Sequence, residues 1–415
     1  MKTIRRAYRF RLKPHREIEQ KLARICGSSR FLWNKSLAMN LDRLEKRQSI
    51  LWYNEMAWWL TLWKRSDEYS FLKECPSQVL QQKLRDLERA FKDCFDRRQP
   101  LKRLPVFKKK GRGDAIRFPQ GFRIAGRRIF LPKIGWVGFY KSREIAGELK
   151  NAIVSKKGKR WYVSIQVEQK VEIPEHPSDS EIGIDAGVKC FAALSDGTMV
   201  EGVGSFRKHE DRLAREQRKL SRKQKGSQNW KKQKDKISEL HHTIFNVRND
   251  FLHKVSTEIC QNHARVFVEE LQITSMSASA RGTIDDPGRN VKAKSGLNKS
   301  ILDQGWFKFR LQLGYKLDWQ GGTLVEVDYR HTSQRCSCCG HTSKQNRPSQ
   351  AVFRCQACGF NENADVNAAR NILTAGLAEM GCGSNCNSNR KQQPAGTREE
   401  VLSLASKKPE ESPAL

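Results

Sequence analysis

CSCCGHTSKQNRPSQAVFRCQACGFNENADVNAARNI, residues 336–372, carries two Cys-x2-Cys pairs, Cys336/Cys339 and Cys355/Cys358, with fifteen residues between them. Each pair supplies two thiolates from one tight turn, and two pairs at this separation close a tetrahedron around zinc. Gly340 and Gly359 each follow the second cysteine of a pair, where a turn around a metal calls for positive φ. Cys338 lies between two ligands and is spare. The competing reading, a disulfide scaffold, is disfavoured because the other cysteines are scattered, as in a reducing compartment. Cys382 and Cys386 form a further pair, too few to hold a metal. Seven residues after Cys358 stands Asp365, which opens the apolar-periodic segment DVNAARNIL, a helix.

The 415 residues hold 78 Lys and Arg against 45 Asp and Glu, a net charge of +33. That excess does not suit a metabolic enzyme of the cytoplasm and points to a polyanionic partner, nucleic acid. No long apolar segment or lipidation motif favours a membrane. The N-terminus, MKTIRRAYRFRLKP, alternates basic and apolar residues and lacks the apolar run of a signal peptide. A soluble protein of the bacterial cytosol, associated with the nucleoid, is the expectation.

Residues 3–12 read as a strand with one charged face. From about 15 to 98 the spacing is helical, with Ile18, Leu22 and Ile25 on one stripe and Leu80, Leu84, Leu87, Phe91 and Phe95 on another. Trp52, Trp58, Trp59 and Trp63 lie between these stripes and read as helix packing more than base stacking. Residues 100–176 are β-rich and include the basic run Lys108–Arg112, a candidate phosphate contact or a solvated loop. PEHPSDSE, residues 174–181, is a linker. Residues 207–262 form a helix pair interrupted near Gly226-Ser227. Its first part, 207–236, has 13 Lys and Arg against 4 Asp and Glu and reads as a nucleic-acid-facing element. Residues 274–298, with Asp285 and Asp286, read as a loop. KSILDQGWFKFRLQLGYKLDWQ reads as one amphipathic helix with Leu302, Trp306, Phe309 and Leu313 on a stripe.

Three acids fall at informative places. Asp185 closes the strand IGID, Glu269 closes VFVE, and Asp365 opens a helix. Each alone reads as a turn former or cap. Together they can converge, and three bare carboxylates at one point would repel. Two Mg²⁺ ions resolve this, as in two-metal hydrolysis of a phosphodiester by a ribonuclease-H-type nuclease. Glu270 competes with Glu269, because alternation puts only one of them inward.

The blocks GIDAGVKCFAALSDG, VFVEELQI, TSQRCSCCGHTS, FRCQACGF and ADVNAARNIL, in this order, resemble the TnpB family, the OrfB-type proteins of bacterial insertion sequences. RFRLKP, RFLWNKSL and PVFKKKGRGDAIRFPQ resemble its N-terminal half more loosely. The resemblance implies an α/β, RNase H-like (RuvC) nuclease domain with an inserted zinc ribbon. A β-barrel wedge domain with an inserted helical recognition domain would precede it. The segments would be 1–14 and 100–176 for the wedge barrel, 15–99 for the recognition domain and 180–330 for the nuclease. The ribbon would cover 331–360, the last nuclease motif 361–378 and a disordered tail 379–415. The family's catalytic acids carry over to Asp185, Glu269 and Asp365, as Mg²⁺ ligands. Its ribbon ligands carry over to Cys336, Cys339, Cys355 and Cys358, as zinc ligands. Two departures stand out. Glu270 replaces a common Asp, and Ala364 stands where many relatives have Arg.

The implied function is an RNA-guided, Mg²⁺-dependent DNA endonuclease of a transposable element, with a guide RNA and a DNA target as partners. Its physical logic is base pairing for sequence and protein contacts for a short adjacent motif. Two other readings stay open: a guided DNA-binding regulator that does not cut, and a strand-transferring transposase. The oligomeric state is open, a monomer bound to RNA being one reading.

Overall fold

The computed structural model describes residues 1–111, 113–172, 174–283, 286–328 and 332–381. Arg112, Asp285, Cys382, Cys386 and the whole of 382–415 lie outside the described residues. The chain divides into two compact units, Met1–Val171 and a second that begins at Glu172.

The first unit opens with strand β1 (Lys2–Lys13), in which Ile4, Phe10 and Leu12 are buried while Arg5, Arg9 and Arg11 are exposed. Helices α1 (Arg16–Glu45), α2 (Tyr53–Arg65) and α3 (Ser77–Phe95) follow. The stripe on α3 buries Leu80, Leu84, Leu87 and Phe91 as the periodicity predicts, but Phe95 is exposed at the helix end. Of the four tryptophans, Trp63 is buried, whereas Trp52 and Trp58 face solvent. The buried Asn40 fixes the turn after α1: its amide donates to the Leu51 carbonyl at 3.1 Å and accepts from the Leu51 N–H at 2.7 Å. Strands β2 (Ala115–Phe118), β3 (Arg123–Ala125), β4 (Arg128–Leu131), β5 (Gly135–Phe139), β6 (Glu148–Lys157) and β7 (Arg160–Val171) complete the unit. With β1 they form one seven-stranded sheet in the order β2-β6-β7-β1-β5-β4-β3. One apolar cluster joins the inner face of this sheet to the three helices.

The second unit is built on a five-stranded sheet in the order β10-β9-β8-β11-β12. Its strands are β8 (Glu181–Asp185), β9 (Ala192–Leu194), β10 (Met199–Val200), β11 (Arg265–Glu269) and β12 (Thr323–Val327). The central strands β8, β11 and β12 are parallel, and β9 and β10 return antiparallel around Gly197, whose φ is +97°. Helix α4 (Glu210–Ser221) and the 35-residue α5 (Gln228–Asn262) flank a turn at Gly226, and the Ser227 hydroxyl caps α5 by accepting from the Trp230 N–H. A short α6 (Ile273–Met276) leaves a loop that ends at residue 290.

The single amphipathic helix expected across 299–320 is two helices, α7 (Val291–Gln304) and α8 (Trp306–Gln320). Gly305 breaks it with a φ of +76°. The break shifts the helical phase, so Ile301 is buried and Leu302 is 54% exposed, while Trp306, Phe309 and Leu313 keep the buried stripe. Strands β13 (Val352–Arg354) and β14 (Asn361–Asn363) form a separate two-stranded sheet, and α9 (Ala364–Gly381) ends the described chain. Residues 379–381, placed with a tail by the sequence reading, continue α9. No helix among the described residues is long and apolar enough to cross a membrane.

Alternation along the parallel strands makes three layers. Ile182, Ile184, Val266 and Val268 point to α5 and α8, packing with Leu252, Ile259, Phe309 and Leu313. Gly183 and Phe267 point to the other side, where α9 lies against them. This approach is close enough to require glycine. A Cβ on Gly183 would strike the Ala369 carbonyl and the Leu373 amide, and one on Gly376 would enter the Phe267 ring. Gly183→Ala is therefore expected to destabilise the protein by about 2 kcal/mol or more, since the backbone of α9 must move. Gly296→Ala, at a site with nothing within 4 Å, is the control and should leave stability near the parent's. Chemical denaturation measures both, and equal stabilities would contradict the close packing.

Candidate active site and metal centre

Parallel strands end their carboxyl edges together, and the acids sit on that edge. Val268 pairs with Ile184, so Glu269 and Asp185 each lie one residue past the last registered pair of β8 and β11. Asp365 is the second residue of α9, which packs across the same strands. The Asn363 side chain caps this helix, accepting from the backbone N–H of Asp365 at 2.9 Å and of Val366 at 3.3 Å. The three carboxylates thus come from three separate elements and are all half-buried, while Glu270 is exposed.

Electrostatics tie the acids together. The Asp185 carboxyl is pushed up to about 7, first by burial and then by the charges of Glu269 and Asp365. Glu269 is also raised by burial, offset by the Thr332 hydroxyl, which donates to its Oε1 at 2.9 Å. A mostly apolar cavity of about 30 Å³, lined by Ile184, Val268, Trp306 and Phe309 with Arg310, borders Glu269. Arg347 is the countercharge: its guanidinium donates to Asp365 Oδ1 at 3.1 Å and to the Gln350 carbonyl, and its charge offsets part of the rise at Asp185.

The four cysteines form the tighter group. Their sulfurs all lie within 4.8 Å of one another, the only such ligand cluster among the described residues. The carboxylates, by comparison, are spread more widely. Cys336 and Cys358 sulfurs are 3.7 Å apart, and Cys339 and Cys355 are 3.6 Å apart. Thiolates ~2.3 Å from a tetrahedral zinc would be ~3.8 Å from one another, so the set fits that ion. Gly340 and Gly359 adopt φ of +77° and +74°, and their N–H groups donate back to the Cys336 and Cys355 carbonyls. The Cys355 thiol is pulled down to about 6, chiefly by the backbone N–H of Cys358. Cys338 is exposed and outside the cluster.

The cysteine module is bolted to α9. Asn367 donates to the Arg335 carbonyl and accepts from the Ser337 N–H, and Asn371 donates to the Thr332 and Arg335 carbonyls. The segment between β12 and α9 therefore carries three things at once: the cysteines, the Thr332 hydroxyl on Glu269 and the Arg347 guanidinium on Asp365. Thr332 and Arg347 were missed from sequence. Neither lies in a recognisable spacing, and their partners are 63 and 18 residues away.

Comparison with known proteins gives three matching family models. One described as "Probable transposase" (OrfB, IS605 type) covers residues 164–280. A "Cas12f1-like, TNB domain" model covers 306–372. A "Helix-turn-helix domain" model covers 1–49, where the structure has one strand and one 30-residue helix. The chain is 51% identical over 392 residues to the "Putative RNA-guided DNA endonuclease InsQ" of Escherichia coli (strain K12), covering 94% of this chain and 97% of that one. It is 32% identical to a protein of the same description from Streptomyces pristinaespiralis, with 95% of each chain covered. Among solved structures, a Cas12f1 chain from a Cas12f1-sgRNA-target DNA complex superposes with a TM-score of 0.51 at 14% identity, over 89% of this chain and 98% of that chain. At that identity the likeness is one of fold.

Proposed function

We propose, for a chain that belongs to the TnpB family, an RNA-guided DNA endonuclease whose cutting centre is Asp185, Glu269 and Asp365. Its relatives at full length are described as RNA-guided DNA endonucleases, and its partners are a guide RNA and target DNA. The observation that carries the site assignment is electrostatic and geometric together. Two strand ends and a helix start bring three half-buried carboxylates together, and burial, then the charges of Glu269 and Asp365, push Asp185 up to about 7, a cost that a bound divalent cation would remove.

In the finer reading, the second unit is a RuvC-like nuclease with the cysteine module inserted before its last motif. The seven-stranded sheet and helices of the first unit are the wedge and recognition parts. Asp185, Glu269 and Asp365, an all-oxygen donor set, would hold Mg²⁺, which when bound activates a water and stabilises the leaving oxygen of a phosphodiester. Zinc in the four-cysteine cluster would be structural. The protein's own groups orient the donors. Thr332 fixes one oxygen of Glu269, Asn363 fixes the start of α9, and Arg347 balances Asp365 until substrate phosphate offers it another anion.

The test is to purify the protein with its bound RNA, sequence that RNA, and incubate the complex with a plasmid carrying the matched target in Mg²⁺. Cleavage at the matched target, absent from a scrambled one, is the expected result. Guided binding without cutting would instead support the regulator. Joining of transposon ends without RNA would support the strand-transferring transposase.

A further inference from the structure

Gly305 ends α7 with a φ of +76°, so Trp306 and Phe307 stand in the first turn of α8 rather than inside a longer helix. That turn closes the pocket beside Glu269. The pocket lies at the carboxyl edge of the five-stranded sheet, where Ala186 follows the end of β8 and Glu269 ends β11. Ile273 and Arg310 line it as well. Phe307 lines it with a ring that is 56% exposed, so the pocket opens to solvent over that ring. A ring so exposed contributes little to the core beneath it.

Polar groups in the lining set what the pocket accepts. The Glu269 carboxylate repels anions. Arg310 is the cation of the lining, and its charge is already engaged: the guanidinium donates to Glu326 Oε2 at 2.6 Å and lies 5.8 Å from the centre of the Phe307 ring. A phosphate therefore meets a carboxylate and a neutralised cation. The remaining group is the Trp306 indole N–H. Trp306 is 5% exposed, and its Nε1 has no hydrogen-bond partner among the described residues. A buried donor without an acceptor costs free energy that an incoming acceptor recovers. The lining thus suits a neutral, flat group with a π face for Phe307 and an acceptor for Trp306.

Nucleobases have this chemistry. Each offers a π face, and each carries a ring nitrogen or carbonyl oxygen that accepts a hydrogen bond. A base inside a duplex stacks on its neighbours and cannot enter, so it must come from a strand already opened, as guide pairing opens DNA. Glu269 belongs both to this lining and to the acidic centre, so a base held here brings its own backbone to the acids. We propose that this pocket takes an unstacked nucleobase of the DNA strand being cut, next to the cut, with its face on Phe307 and an acceptor atom on the Trp306 indole N–H. Both residues then position the strand, and neither takes part in breaking the bond. Every base qualifies, so the pocket sets where the strand is held rather than which sequence is cut. The proposal rests on the reading of Asp185, Glu269 and Asp365 as the cutting centre.

The test uses the guide-loaded full chain and matched DNA in which the bases flanking the cut are removed one at a time, leaving the backbone whole. One abasic position is expected to slow cutting by the parent about tenfold, the scale of a lost base–aromatic stack. F307A should be slowed equally on intact DNA and no further by that abasic position, since ring and base act as one pair. F307W should cut like the parent. W306F keeps a buried ring and loses the N–H, so it should lose about threefold on intact DNA and nothing more on the abasic strand. L302A, exposed on α7 and outside the lining, should cut like the parent. Losses by F307A and by the abasic position that multiply would overturn the proposal, as would indifference of the parent to every abasic position. Parental cutting by W306F would mean that a water satisfies the indole N–H and would overturn the donor assignment. A second readout needs no cutting. The fluorescent base 2-aminopurine, scanned along the opened strand without Mg²⁺, should be quenched at one position in the parent and bright there in F307A. That pattern, with Asp185→Asn cutting like the parent, would sink the acidic centre and keep the pocket. Equal emission from parent and F307A would sink the pocket and leave the centre standing.

Discussion

Asp185→Asn is expected to slow guided DNA cleavage by about a thousandfold or more, the scale seen when a group stabilising developing charge is removed. The substitution keeps shape and hydrogen-bonding atoms but removes the charge that a divalent cation needs, at the residue where burial and two neighbouring acids concentrate the field. Two further readouts separate this from a folding defect. Mg²⁺ should raise the melting temperature of the parent and much less that of the variant, because only the parent has a differential affinity to contribute. Without Mg²⁺ the variant should be the more stable protein at alkaline pH. The Asp185 carboxyl goes from an ordinary 3.8 to about 7 in the folded chain. Its stability cost is therefore absent below the lower value, grows as pH rises between the two, and is complete above the higher one. An amide carries no such cost. Glu270→Gln, at an exposed position beyond the strand, should cut like the parent. Cleavage by Asp185→Asn at the parental rate, or an equal Mg²⁺ shift in both proteins, would remove Asp185 from the centre.

The elements that sequence made legible are those whose signal is local. Two Cys-x2-Cys knuckles specify their own turns, so their convergence needed no knowledge of the rest of the chain, and the four sulfurs do cluster. The helix pair over 207–262 was visible because Gly226 and Ser227 interrupt a sustained period with a positive φ and a cap. The single helix over 299–320 failed for a related reason. Gly305 sits inside an apolar period that continues on both sides, and only the packing of α8 against α5 reveals that the chain turns there.

The acids occupy a middle ground. Strand ends and a helix start were readable, but their meeting depends on β8 and β11 being adjacent and parallel, and on glycines at 183 and 376 letting α9 approach. The choice between Glu269 and Glu270 was open on alternation alone. In the structure the half-buried residue is Glu269, and the exposed one is Glu270. Thr332 and Arg347 were illegible because a hydroxyl or a guanidinium in a polar loop has no period, and each acquires its role from a partner in a distant element. The charged side of β1 showed in its alternation, and Arg5, Arg9 and Arg11 are exposed there, but the strands that pair with it were not specified by the sequence.

The second large effect follows from how the cysteine module is joined to the acids. Cys355→Ser, at a buried cysteine of the cluster proposed to hold zinc, is expected to unfold that module, since structural zinc contributes on the order of 10 kcal/mol to small zinc-dependent folds. The consequence reaches past the module. Asn367 and Asn371 of α9 grip its backbone at Ser337, Arg335 and Thr332, so its loss leaves those amides unpaired. It also withdraws the Thr332 hydroxyl from Glu269 and the Arg347 guanidinium from Asp365. Loss of such supporting contacts around a metal site typically costs about 10–100-fold each in affinity or activity. Cleavage by Cys355→Ser should therefore fall by at least about a hundredfold, although no acid has been touched. A zinc-selective chelator should reproduce the loss in the parent, and restoring zinc should reverse it there but not in the variant. Cys338→Ser, at the exposed cysteine outside the cluster, should retain both zinc and cutting. The first unit has its own apolar core, so the variant should still keep that unit folded. A chelated parent that melts and cuts as before would show that the cysteines neither hold a structural metal nor support the acids.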